Sequence, residues 1–142
     1  FWRAEDKPVI QIKIPYFFLA DEPCYMTQTS PHMNSNARKW PGMLISGRFP
    51  INVWPRIMNW AFEWDDLSED LILRRNDPLC YLYFETANLR TKANLFEIEN
   101  TPELEEYRKG LAAVPKFVSN TFSLFETALE RRPKQLLKKK LK

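Results

Sequence analysis

The chain has one histidine, two cysteines and three glycines in 142 residues, and each shortage excludes something. With His32 alone, the sequence cannot assemble a 2-His-1-carboxylate triad or a cupin-type set of imidazoles. A Ser–His or Cys–His pair would have to use that same residue, which sits in the polar stretch "TSPHMN" near Cys24 with nothing to orient it. Cys24 and Cys80 lack metal-type or redox-type spacing and read as two reduced, partly buried thiols. The few glycines stand beside eleven prolines, which implies turns set by fixed φ rather than by positive φ. Neither G-x-x-x-x-G-K-[ST] nor G-x-G-x-x-G occurs, so no phosphate cradle is visible. No run approaches the ~20 apolar residues of a membrane span. The opening "FWRAEDKP" has neither the basic nor the apolar part of a signal peptide. A cytoplasmic protein without cofactor or metal is the expectation.

What is abundant is aromatic side chain, at 14%, within an ordinary globular balance of 44% hydrophobic and 27% charged residues. This length fits one domain covering 1–142. The net charge of +3 is unevenly spread. Residues 131–142, "RRPKQLLKKKLK", hold seven Lys/Arg and no acid, leaving 14 basic against 18 acidic residues before them, a net of −4. A nucleic-acid footprint on the body is therefore unsupported. The tail, with Leu136, Leu137 and Leu141 among its lysines, reads as a frayed helix end, with an anionic partner as the alternative.

Period-2 alternation marks strands. Ile10, Ile12 and Ile14 alternate with Gln11 and Lys13 until Pro15, where a break or bulge is expected before "YFFLA". "CYMTQT" is a short strand, "SPHMNSNARKWPG" a loop, and "MLISGRF" (43–49) extended with a bulge at Gly47. "PINVWP" is too proline-limited for a central strand. In "IMNWAFEW" (57–64), Met58, Trp60, Phe62 and Trp64 share one face. "DLILRR" and "LCYLYFET" read as strands joined by a tight turn at "NDP", and "ANLFEIEN" as a last strand. Helical signals begin at Thr101: "TPELEEYRKG" has an N-cap Thr, Pro at the first helical position, early acids and a closing Gly. A second helix is expected from near Pro115 to about Glu130. Its apolar arc of about 160° holds Phe117, Val118, Phe122, Leu124, Phe125, Ala128 and Leu129. The predicted fold is mainly β, a jelly-roll-like or β-sandwich part over 1–100, with two packed helices over 101–131 and a basic tail over 132–142.

The stretches "YFFLADEPCYMTQ", "WPGMLISGRFPINVWPRIMNWAFEW" and "LRRNDPLCYLYFE" together resemble a family of uncharacterised proteins from marine tailed phages and metagenomes. They are more distantly similar to a bacterial domain of unknown function. The resemblance covers about residues 9–86 and assigns no residue a role. It implies a jelly-roll-like, phage-encoded protein of the host cytoplasm or the virion, with a further β segment ahead of Phe1, and the missing initiator Met agrees with that expectation.

The aromatic row of 57–64 is explained by a core, since each such side chain buries roughly 150–250 Å². A ligand site would need the opposite side: Arg48, Asn59 and Glu63, with Trp54 and Arg56 from the proline-bounded segment. That mixture of flat aromatic, amide, guanidinium and carboxylate suits a polar cyclic ligand such as a sugar. Glu63, Asp65, Asp66, Glu69 and Asp70 contain enough carboxylates for an acid–base pair, yet most lie in the turn "DDLSED", where acids are ordinary. The functional expectation is a non-enzymatic binding or assembly module, a homodimer through helix 116–130 or an open sheet edge. The alternative is a jelly-roll oxygenase-like enzyme whose metal ligands lie in a preceding segment.

Overall fold

A computed structural model describes residues 7–54, 57–88, 90–113, 121–133 and 137–138. Six strands come first: β1 (Val9–Phe17), β2 (Cys24–Thr29), β3 (Gly42–Leu44), β4 (Gly47–Pro50), β5 (Ile57–Trp64) and β6 (Tyr81–Thr86). Two helices follow, α1 (Pro102–Ala113) and α2 (Thr121–Glu130). The strands make two three-stranded antiparallel sheets, ordered β1-β5-β3 and β4-β2-β6. The chain is thus mainly β with a C-terminal helical extension, the β-sandwich-like class that the period-2 runs predict. Among the described residues, α-helix is confined to the part after Thr101, with a single 3-10 turn at Ala37–Lys39 before it.

β5 is the central strand of its sheet, and both neighbours follow its register. On one side Gly42, Met43 and Leu44 lie opposite Trp64, Glu63 and Phe62. Gly42 is required there: a Cβ at this position would collide with the Glu63 carbonyl oxygen and press on Asp65 N and Phe62 Cε1. On the other side Trp64 N–H donates to the Pro8 carbonyl at 3.0 Å. In an unbroken antiparallel ladder this bond sets Ile10, Ile12 and Ile14 opposite Phe62, Trp60 and Met58, and turns the odd-numbered amides outward. β1 runs as one strand through Pro15 to Phe17, so of the break or bulge expected there the break does not occur.

Four other expectations are corrected. "MLISGRF" is not one extended element: β3 belongs to one sheet and β4 to the other, and the chain changes sheet at Ile45 and Ser46. "DLILRR" lies outside both sheets, although the turn after it forms, with Asp77 N–H on the Arg74 carbonyl and Asn76 at φ 71°. "ANLFEIEN" is irregular apart from an isolated bridge at Ile98. Gly110 does not close α1, which continues to Ala113. The Thr101 cap does form, its hydroxyl accepting from Leu104 N–H at 3.2 Å.

Contacts divide the chain into two compact units. The first comprises residues 7–16, 26–48 and 57–83, and the second residues 17–25, 49–54 and 84 onward. The first unit centres on Leu44, Trp60 and Phe62, with Ile10, Ile14, Trp40, Trp64, Leu71 and Leu79 packed around them. Trp60 stacks on Phe62 at 5.3 Å and meets Trp40 edge-on. The predicted inward face of β5 is thus confirmed, whereas Ile12, expected to share the buried side of β1, is exposed. The second unit centres on Leu104, Tyr107, Leu111, Leu124 and Ala128. Leu129, counted on the apolar arc of the second helix, is 57% exposed, and Phe117 and Val118 lie outside the described residues.

Candidate functional site

The side of β5 away from Trp60 and Phe62 presents Asn59, Ala61 and Glu63, all half-buried. Their spacing by two puts them on one face, with Met43 of β3 beside Glu63. Asn59 marks the place where this edge of β5 loses its strand partner. Ile45 N–H still reaches the Ala61 carbonyl at 2.8 Å, but the chain then leaves for β4. The next carbonyl on that edge, of Asn59, accepts instead from the side chain of Gln28 at 3.5 Å. Gln28 is 3% exposed and supplies the bond that a longer β3 would have made. The Asn59 amide oxygen is itself enclosed, with no hydrogen-bond partner among the described residues.

The five expected ligand residues are placed as follows. Asn59 and Glu63 are together on the outer face of β5. Arg48 is exposed on β4, in the other sheet. Trp54 belongs to the second unit, where it packs on the helical core with its ring edge-on to Phe125 at 5.5 Å. Arg56 lies outside the described residues. The structure brings together Asn59 and Glu63, and holds Trp54 as a packing residue of the helical unit.

The other chemically able groups have structural work. Asp66 accepts from both the Ser68 hydroxyl (2.6 Å) and the Ser68 N–H (2.9 Å), which holds its carboxyl below the usual range. Asp65 pairs with Lys7 at 2.6 Å. Asp77 receives both contacts of the Asn36 amide, tying the 31–41 loop to the turn at 74–77. His32 is exposed; its Nδ1 is 3.1 Å from the Ser30 carbonyl, and its ring meets Tyr81 edge-on. Cys24 and Cys80 are free thiols, both pushed up by burial and so poor nucleophiles. Among the described residues no three His, Cys, Asp or Glu side chains converge as a metal set. No described helix is long and apolar enough to cross a membrane.

Two polar residues that sequence reasoning passed over organise their surroundings. Gln28 shares a strand face with buried Cys24 and Met26, and a polar residue in an apolar row was the available signal. Tyr107 is buried with its hydroxyl 2.9 Å from the Val53 carbonyl and 3.0 Å from that of Ala128. Ala128 lies in the last turn of α2, where carbonyls lack helical partners, so this hydroxyl serves a group the helix leaves open.

Comparison of the chain with protein-family models, with curated proteins and with solved structures yields no match.

Proposed function

We propose that the chain is a non-enzymatic assembly module that associates with a second copy of itself, phage-encoded as the resemblance of residues 9–86 implies. One observation carries the reading. The stretches 70–75 and 93–96 lie outside both sheets, and they leave Ile72 54%, Leu95 76% and Phe96 43% exposed. Large apolar side chains left exposed on chain outside both sheets are candidates for cover by another chain. The edge of β1 that no described strand pairs is a poorer candidate, since Pro15 and Lys13 are residue types that blunt an edge. Asn59 and Glu63 are the part of the expected polar-ligand site that this reading retains.

Sedimentation velocity across a micromolar concentration series tests it. The expected result is a concentration-dependent dimer that Ile72→Glu or Leu95→Glu shifts back toward monomer. A monomer of 16.9 kDa at every concentration would reject the proposal.

A further inference from the structure

The basic segment 131–142 does not use its charges uniformly. Arg132 is drawn in, donating to the Ala20 carbonyl at 2.9 Å and to Asp21 at 3.1 Å. Lys138 is engaged differently. Its main-chain carbonyl accepts from Glu99 N–H at 2.8 Å, and its ammonium lies 3.2 Å from the Glu99 carboxylate. One residue of the acidic segment "EIE" (97–99) thus grips one lysine by backbone and by side chain together. The frayed helix end expected here is, at Leu137 and Lys138, irregular chain held to another segment.

The surroundings fit that pairing. Ile98 is half-buried against the helical core and fixes the strip from below. Leu137 is half-buried and Lys138 exposed. The Glu103 carboxyl is held down first by its own backbone N–H and by Thr101, and the charge of Lys138 adds to this. Glu99 and Glu103 therefore both feel the same ammonium.

We propose that residues 97–99 are a docking strip for an extended basic strand, and that the chain's own Leu137 and Lys138 occupy it as a reversible strap. Backbone pairing supplies the alignment, and the Glu99–Lys138 ion pair supplies the preference for a basic residue. Both partners of the ion pair are largely exposed, at 69% for Lys138 and 39% for Glu99, so the strap is sensitive to salt and open to competition. The inference does not depend on self-association, because it concerns 97–99 and not the exposed Leu95 and Phe96.

Amide hydrogen exchange of the full chain at position 99, corrected for intrinsic rates, tests it. At low ionic strength Lys138→Glu is expected to reduce protection of this amide by about two- to fivefold, the range of an exposed ion pair. Lys138→Gln should give a smaller loss at the same amide, with core amides such as Leu104 unchanged. The charge-swapped double variant, Glu99→Lys with Lys138→Glu, should restore protection, which a merely structural contact would not do. Excess peptide of sequence LLKKKLK, added to the Lys138→Glu chain, should bind the vacated strip and restore protection at Glu99, and no recovery there would count against the strip. Unchanged protection in the single variants, or no recovery in the double variant, would overturn the proposal. Protection that rises with protein concentration would place the strand on a second copy and overturn the self-bound strap, whatever the sedimentation result.

Discussion

The two units of this molecule build their cores in opposite ways. In the first, one strand supplies the centre: Trp60 and Phe62 of β5 are fully enclosed, and the 31–41 loop, β3 and the 65–80 connection supply what covers them. In the second, no single element dominates. Phe17 and Leu19, Trp54, and Ile98 come from three separate places in the chain and meet α1 and α2 around Leu104 and Leu111. A core concentrated on one strand is specified by local alternation, whereas a dispersed core must be assembled by groups that reach across the sequence. Tyr107 is such a group, and so is Arg108, whose guanidinium lies 4.2 Å over the ring of Phe17.

The largest effect that would break this comparison is in the first unit. Trp60 is 0% exposed, stacks on Phe62, and donates its indole N–H to the Leu79 carbonyl at 2.8 Å. Trp60→Ala removes a large aromatic from the centre of the cluster and is expected to cost about 3–5 kcal/mol. It also leaves the Leu79 carbonyl without its donor. Trp54→Ala, which acts on a half-buried ring at the border of the helical core, should cost less. Urea melts that rank the two in reverse would mean that the first core does not rest on β5.

That same contrast explains how much of the molecule was legible in its sequence. β2 and β5 could be read to their ends because each alternates without interruption and buries one face. The change of sheet at Ile45 and Ser46 carried no such mark, since both strands around it are extended and apolar. "DLILRR" and "ANLFEIEN" misled for the converse reason. Their apolar residues anchor chain that lies outside both sheets, Leu71 on the aromatic cluster and Ile98 on the helical core. Of the candidate site, alternation correctly placed Asn59 and Glu63 on one face. The position of Trp54 depends on Phe125, which is remote in sequence, so no local pattern could reveal it.

An intermediate effect is expected in the second unit. Tyr107→Phe keeps the ring and removes only the hydroxyl that lies between Val53 and Ala128. Two buried acceptors then share no donor, and the expected cost is about 1–3 kcal/mol. The substitution creates almost no cavity, so the loss isolates the tether from the packing. A Tyr107→Phe protein as stable as the parent in thermal melts would show that packing alone holds α1, α2 and the 51–54 turn together.

The smallest expected effect has the opposite sign and concerns Gly110. Its position after "TPELEEYRK" reads as a helix terminus, where glycine is favoured because it accepts positive φ. In the structure it is an interior residue of α1, without positive φ, and a Cβ added there meets nothing within 4 Å. Under those conditions glycine only increases the backbone entropy lost on folding, and alanine is better by roughly 0.5–1 kcal/mol. Gly110→Ala should therefore raise the thermal midpoint slightly and increase helical signal in circular dichroism. Were α1 to end at this position instead, alanine would be strained and the midpoint would fall. The sign of one small shift thus decides whether α1 extends to Leu111, whose buried side chain joins the dispersed core to the last turn of the helix.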